Sequence, residues 1–267
     1  MTHPAPISMP PDTAPDAPAT PTTQQTQQTL LVLSCEHGGN RIPAPYRALF
    51  AGASALLRSH RGYDPGALRM ARDFAAAFAA PLQAAVTSRL LIDLNRSVGH
   101  PRLYSEFTRP LPAAQRRQIL QQHYLPYRTA LEARIGAACA RGLRVLHLSC
   151  HSFTPELDGQ VRRADIGLLY DPARPAEAGL CRAWRTALGQ RDPALVVRMN
   201  YPYAGNADGL TTHLRRVLPA QAYLGIELEI NQKLVRCGAT GWQRLRRHLI
   251  EALAAAGGLS IVIAPGR

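Results

Sequence analysis

The chain has 267 residues, of which 46% are hydrophobic and 18% are charged, and its formal net charge is +13. This length can enclose a sizeable core, and no segment approaches the roughly 20 consecutive apolar residues of a membrane span. The five Cys lack the spacing of a disulfide framework, which argues against a disulfide-stapled secreted protein. Because the first residues also lack the basic and apolar regions of a secretory signal, we expect a cytoplasmic protein without a membrane partner.

The positive charge comes almost entirely from Arg, since Lys233 is the single lysine among 31 basic residues. The Arg residues are scattered and form no long basic run interleaved with aromatic residues, which a nucleic-acid interface commonly shows. We therefore expect the charge to attract anionic small molecules rather than nucleic acid. The alternative is a non-catalytic protein that binds RNA or an acidic ligand.

Residues 1–28 are rich in Pro, Thr and Gln and contain no Lys or Arg, which predicts a disordered tail. From residue 29 to residue 267 we predict a single domain, because no second linker and no internal repeat is visible. Apolar runs predict buried strands at Leu30–Cys35, Leu82–Val86, Leu90–Leu94, Arg144–Ser149, Ile166–Tyr170, Leu195–Met199, Ala222–Ile230 and Ser260–Ala264.

Helical patterns lie between these strands, at Gly66–Ala79, Ala113–Arg141, Glu177–Gly189 and Gly241–Ala255. Buried strands that alternate with helices predict an α/β sandwich with a mostly parallel sheet. In such sheets ligands bind beyond the carboxyl ends of the strands. The residues that follow each strand are therefore the first place to look for chemistry.

Polar side chains follow several of the predicted strands. His37 comes after the first strand and His151 follows the Arg144 strand, while Glu227 and Glu229 share one face of a later strand. Each feature alone is ordinary, since a His at a strand end is commonly structural and a Glu pair can face solvent on an edge strand. Together they offer the nitrogen and oxygen ligands of catalytic zinc, with a further Glu available as general base. The residues alone therefore predict a metal hydrolase.

Two Cys lie beside these His residues. Strand alternation directs Cys150 away from the side chain of His151, so both Cys35 and Cys150 are expected to be buried apolar residues. A Cys–His nucleophile pair is the alternative.

Short motifs occur in a characteristic order along the chain. They are CEHGGNRIP at 35–43, HRGYDPGA at 60–67, SRLLIDLNR at 88–96, HS at 151–152, RADI at 163–166, NYPYAG at 200–205 and EIN at 229–231. In this order and spacing they resemble the N-formylglutamate amidohydrolase family, over about residues 30–234. The resemblance implies a zinc-exopeptidase-like fold, a three-layer α/β sandwich with a mostly parallel mixed sheet.

The resemblance also implies roles for individual residues. His37 and His151 match metal ligands, and Glu229 matches the base that activates water. Asn95 and Arg96 match a pair that grips the substrate carboxylate, for which the planar fork of Arg is well suited. One Zn²⁺ per chain is implied, and another divalent metal such as Fe, Mn or Co is the alternative.

The third metal ligand differs from the pattern of the wider group. Carboxypeptidase-like relatives place a Glu three residues after the first His, where this chain has Asn40. Asp64, in the matching 60–67 segment, is our prediction for the third ligand. Asn40, Glu36 and His60 are the alternatives.

Five further matched residues are predicted near the substrate. Arg89 either reaches the site or pairs with Asp93, and Arg163 is positioned by the sequence to hold a second carboxylate. Arg198, Asn200 and Tyr203 precede a Gly-containing turn, where an Arg or Tyr can stabilise an oxyanion. We predict Arg198 as catalytic and the others as substrate-binding.

These observations predict an amidohydrolase whose partner is a small-molecule N-acyl amino acid. The favoured substrate is an N-formyl acidic amino acid such as N-formyl-L-glutamate, which would yield formate and L-glutamate. The alternative within enzymes is a deacylase or carboxypeptidase-like hydrolase that acts on another acyl group or amino acid.

Overall fold

The computed structural model describes residues 28–259, and a six-stranded sheet forms its centre. The strands follow the spatial order β2-β1-β3-β8-β6-β7. All neighbours pair parallel except β8 and β6, which pair antiparallel. The strands of this sheet are β1 (Thr29–Cys35), β2 (Leu82–Ala84), β3 (Arg144–Phe153), β6 (Ile166–Leu169), β7 (Val197–Met199) and β8 (Tyr223–Asn231).

A separate two-stranded hairpin consists of β4 (Glu156–Leu157) and β5 (Gln160–Val161). The helices are α1 (Ser54–Leu57), α2 (Ala67–Phe78), α3 (Ala113–Ile119), α4 (Leu125–Ala140), α5 (Pro175–Arg191), α6 (Leu210–Val217), α7 (Gln232–Val235) and α8 (Ala239–Gly257). A 3-10 helix covers Ala44–Phe50, and a π-helical turn at Leu120–Tyr124 joins α3 to α4. Within residues 28–259, no helix is long and apolar enough to span a bilayer.

The two faces of the sheet bury separate cores because successive side chains of a strand point in opposite directions. In β1, Leu31 and Leu33 pack on one face, against α2, α5 and α8. Val32 packs on the other face, against α4, α6 and the 3-10 helix. Two helical layers therefore enclose the sheet, which confirms the predicted three-layer α/β sandwich with a mostly parallel mixed sheet.

The predicted strand Leu90–Leu94 is wrong, because the structure has consecutive turns there. Leu90, Leu91 and Ile92 are buried, so the apolar run reflects burial of a loop against the second core rather than strand pairing. The other predicted strands and helices within residues 28–259 are present with shifted ends. The predicted tail apart from Gln28, and the predicted strand Ser260–Ala264, lie outside the described residues.

Candidate functional site

Parallel pairing brings the polar residues at the carboxyl ends of β1, β3 and β8 together. His37 lies two residues beyond the end of β1, and His151 lies in the last part of β3. Glu229 on β8 is the register partner of His151. Asp64 enters from the loop before α2, where its backbone N–H donates to the carbonyl of His37 at 2.9 Å.

His37, Asp64 and His151 form a compact buried group in which one potential ligand atom from each lies within 4.8 Å of the others. Oδ2 of Asp64 lies 2.9 Å from Nδ1 of His151 and 3.4 Å from Nδ1 of His37. Two imidazole nitrogens and one carboxylate oxygen are a common ligand set for a catalytic zinc ion. This arrangement can hold a metal with Asp64, the residue predicted from the 60–67 motif, as the third ligand.

Each of these His rings has a carboxylate on its far side. Oδ1 of Asp93 lies 2.7 Å from Nε2 of His37, and Oε2 of Glu36 lies 3.1 Å from Nε2 of His151. Metal-binding His residues usually donate the N–H of their second ring nitrogen to such a group. Nδ1 of His37 is buried without a hydrogen-bond partner among residues 28–259. This unpartnered atom, which faces Asp64, fits a metal ligand.

The carboxylates around the two rings are held in their ionised form. Burial acts to raise the pKa of Glu36, but hydrogen bonds from His151 and Ser149 hold that pKa well below its usual range. Burial likewise acts to raise the pKa of Asp64, and the charge of His37 and a hydrogen bond from His151 lower it further than burial raises it. Tyr127 also donates its hydroxyl to Glu36 at 3.0 Å. Glu36 is therefore fixed behind His151.

Glu229 has a different environment from these carboxylates. It is buried, and its Oε2 atom has no hydrogen-bond partner in the described part of the chain. It faces the same cavity as the three potential metal ligands, which we call the metal-type group. Burial raises the pKa of Glu229 to about 8. Gly167 on β6 is the register partner of Glu229. A Cβ added at Gly167 would lie 3.2 Å from the Cβ of Glu229 and would collide with the Tyr201 carbonyl.

A cavity of about 270 Å³ opens above these residues, and we call it the inner cavity. Arg96 lines it, donates from Nη1 to the carbonyl of Asp208 at 2.7 Å and forms no salt bridge with a residue of the described range. Asn95 also lines it, but its Oδ1 accepts the N–H of Leu210 at 2.7 Å at the start of α6. Arg96 therefore presents a guanidinium to the cavity beside Asp208, whereas Asn95 holds α6 in place.

Arg89 pairs with Asp93 and also reaches the site, so both of the sequence-based alternatives occur. Its Nη2 lies 2.7 Å from Oδ2 of Asp93, its Nη1 lies 3.5 Å from Oδ1 of Asp64, and it lines the inner cavity. Tyr203 also lines the cavity, is 45% exposed and accepts a hydrogen bond from Arg162 at 3.3 Å. Tyr203 remains available to contact a substrate, whereas Arg89 faces the cavity with its charge paired to Asp93.

Three other predicted residues do not line the inner cavity. Arg163 is exposed on the segment before β6, and Arg198 is exposed on β7 with its guanidinium over the ring of Tyr201. Oδ1 of Asn200 accepts the N–H groups of Tyr170 and Gly205, so it shapes the loop that carries Tyr203. Arg198 and Arg163 therefore take no part in the chemistry proposed below.

Three residues around the site were not assigned their observed positions from the sequence. Glu36 lies behind His151, where it contacts Nε2, and it is not one of the three potential ligands. Its position next to His37 in the chain is the one sequence signal that could have indicated a contact to a ligand rather than to the metal. Asp208 and Arg102 line the inner cavity from loops. No motif marks them, because loop conformation alone brings them there.

Comparison with known proteins gives two kinds of similarity. A family model described as N-formylglutamate amidohydrolase matches residues 29–236. A structure of a gene product from Agrobacterium tumefaciens is similar with a TM-score of 0.74 and 29% identity, covering 87% of this chain and 92% of that chain. N-formylglutamate amidohydrolase from Ralstonia eutropha is similar with a TM-score of 0.65 and 23% identity, covering 88% of this chain and 95% of that chain. A search of curated proteins found no match.

Proposed function

The chain belongs to the N-formylglutamate amidohydrolase family, and we propose that it hydrolyses the amide of an N-acyl acidic amino acid in a metal-dependent reaction. The favoured substrate is N-formyl-L-glutamate, with formate and L-glutamate as products. The observation that carries this proposal is the position of Glu229 beside His37, Asp64 and His151 in one cavity.

Nδ1 of His37, Nδ1 of His151 and a carboxylate oxygen of Asp64 are the atoms that would hold the metal. When bound there, a divalent ion would lower the pKa of water and polarise the acyl oxygen. Zinc is the favoured ion because the ligands are mixed nitrogen and oxygen, and Fe, Mn or Co are the alternatives.

Glu229 acts as the general base and then as the general acid. It removes a proton from the attacking water, whose oxygen forms a bond to the acyl carbon of the substrate. The same carboxyl passes that proton to the amide nitrogen as the carbon–nitrogen bond breaks, which releases the free amine. Oε2 of Glu229 has no other hydrogen-bond partner within the described range, so no competing contact must break. The positive charge of the bound ion favours the ionised form that this role needs.

Arg96 orients the substrate by holding its α-carboxylate. The guanidinium lines the inner cavity beside Asp208 and forms no direct salt bridge with a residue in the range 28 to 259. A charge-assisted pair between Arg and a carboxylate gives both attraction and a fixed direction. With the carboxylate fixed, the scissile amide lies at a defined distance from Glu229, which removes orientational entropy from the chemical step.

Formate release from N-formyl-L-glutamate tests the proposed function. We expect release by the purified protein, loss of release after treatment with a chelator, and recovery when zinc is added back. Release that a chelator does not affect would overturn the metal dependence. Cleavage of other N-acyl amino acids, without cleavage of N-formyl-L-glutamate, would keep the hydrolase and change its substrate.

A further inference from the structure

Arg102 and Arg89 lie at the boundary between two cavities. On one side is the inner cavity of about 270 Å³, which contains the metal-type group. On the other side is a second cavity of about 390 Å³, to which Arg102 and Arg89 also belong. We call it the outer cavity. Its wall includes Asp93, the carboxylate behind His37, so the outer cavity lies directly beside the site.

The outer cavity contains more positive than negative side chains. Its lining includes Arg61, Arg89, Arg102 and Arg109, whereas Asp93 and Glu106 are its acidic residues. Arg89 is paired with Asp93 at 2.7 Å, and Arg61 is paired with Glu106 at 2.7 Å, where both side chains are about half exposed. An exposed pair of this kind is held weakly.

Two of these Arg residues are not neutralised. Arg102 and Arg109 form no salt bridge with any residue in the described part of the chain, although Nη2 of Arg109 donates to the carbonyl of Tyr104 at 3.4 Å. Two free guanidinium groups in one cavity attract an anionic group, and their planar donors match a carboxylate. Of these two, Arg102 lines both cavities, whereas Arg109 lines the outer cavity alone.

We propose that the outer cavity is a subsite for a second carboxylate of the substrate, with Arg102 as its main contact. This inference rests on the proposed function, because it assumes that the scissile amide lies in the inner cavity. The outer cavity extends the inner cavity past Arg89 and Arg102, which line both. A substrate with two separated carboxylates would use both Arg96 and Arg102.

Two parts of the substrate can supply that carboxylate, namely the acyl group or the side chain of the amino acid. Two matched pairs of compounds distinguish them. For the acyl group, N-succinyl-L-alanine is compared with N-butyryl-L-alanine, which lacks the terminal carboxylate. For the side chain, N-formyl-L-glutamate is compared with N-formyl-L-glutamine, which has the same shape without the charge.

The experiment measures kcat/KM for all four compounds with the wild-type protein and with Arg102→Gln. In the pair that uses the subsite, we expect the kcat/KM of the variant for the charged compound to fall about tenfold, mainly through a higher KM. A loss of this size corresponds to one charged hydrogen bond. The kcat/KM for the uncharged partner compound should change by less than about twofold. Arg117→Gln, an exposed Arg on α3 that lines neither cavity, is the matched control. Equal losses for charged and uncharged compounds, or no loss, would overturn the proposal.

Direct binding separates a failure of this proposal from a failure of the proposed function. If none of the four compounds is cleaved, N-formyl-L-glutamate is not the substrate, and calorimetry with glutarate and butyrate still tests the subsite. We expect glutarate to bind Arg102→Gln about tenfold more weakly than it binds the wild-type protein. Equal binding of glutarate to both proteins would overturn the assignment of Arg102.

Discussion

Oδ1 of Asp93 lies 2.7 Å from Nε2 of His37, and this contact leaves Nδ1 of the same ring facing Asp64. Although burial acts to raise it, the pKa of Asp93 is held well below its usual range by Arg89 and His37. Asp93 is therefore an ionised acceptor that fixes which nitrogen of His37 carries the proton. Glu36 has the same relationship with His151.

Asp93 and Glu36, the carboxylates behind the two His rings, should control metal affinity without binding the metal themselves. We expect Asp93→Asn and Glu36→Gln to weaken zinc binding by roughly 10–100-fold, because the rings lose their orientation and part of their basicity. Competition with a chromophoric chelator measures this affinity. Glu106→Gln changes an exposed carboxylate away from the His rings and should leave it unchanged. Wild-type affinity in both test variants would show that these contacts are structural only.

Glu229→Gln should separate catalysis from metal binding. The amide keeps the shape of the side chain but cannot accept the proton of water, so we expect kcat to fall by about 10²–10⁴-fold. Metal content, measured by elemental analysis, should stay at the wild-type level. The matched control is Glu227→Gln on the same strand, where Glu227 accepts a hydrogen bond from Thr211 at 2.7 Å. Its kcat should fall by less than tenfold. An active Glu229→Gln enzyme would remove Glu229 from the mechanism.

Arg96 should act on substrate binding. We expect Arg96→Gln to raise KM for N-formyl-L-glutamate by about tenfold or more, since a charged hydrogen bond is lost. Steady-state kinetics of formate release checks this value. Arg163→Gln changes an exposed Arg that does not line the inner cavity, and its KM should match the wild-type value. The opposite pattern would move the carboxylate site to Arg163.

His147 should make the free energy of unfolding depend on pH. Burial between Tyr223 and Ser34 lowers the pKa of His147 to about 4, whereas an unfolded His titrates near about 6.5. The contribution of neutral His147 to the free energy of unfolding is therefore complete above pH 6.5. It falls by on the order of 3 kcal/mol as the pH decreases toward 4, because only the unfolded chain binds the proton in that range. His147→Gln cannot bind this proton.

Urea unfolding of both proteins between pH 4 and pH 7 checks the effect of His147. We expect the wild-type protein to lose more stability than His147→Gln over this range, because all other titrating groups are shared. Parallel pH profiles would show that His147 is not the group responsible.

The sequence carried enough information to predict the layers of the fold and the residues at the ends of β1, β3 and β8. Periodicity predicts which strands are buried, and parallel strands bring their carboxyl ends to one edge. His37, His151 and Glu229 follow from that rule together with the resemblance. Periodicity failed at Leu90–Leu94, because a buried loop and a buried strand both need apolar residues.

Loop conformation limited what could be predicted about the cavity. Arg102 and Asp208 reach the inner cavity from loops, and no spacing rule positions such residues. Arg198 and Arg163 have suitable chemistry, but β7 is an edge strand and the segment before β6 is exposed. Chemistry and motif membership alone could not separate these Arg residues from those that line the cavity.

The proposed reaction depends on one metal ion that His37, Asp64 and His151 hold together. The test is the metal content of the purified wild-type protein and of His151→Gln, measured side by side by elemental analysis. We expect about one zinc per wild-type chain and a large loss in the variant, because one of the three ligand atoms is removed. Equal metal content in both proteins, or no metal in the wild-type protein even after incubation with zinc, would contradict it.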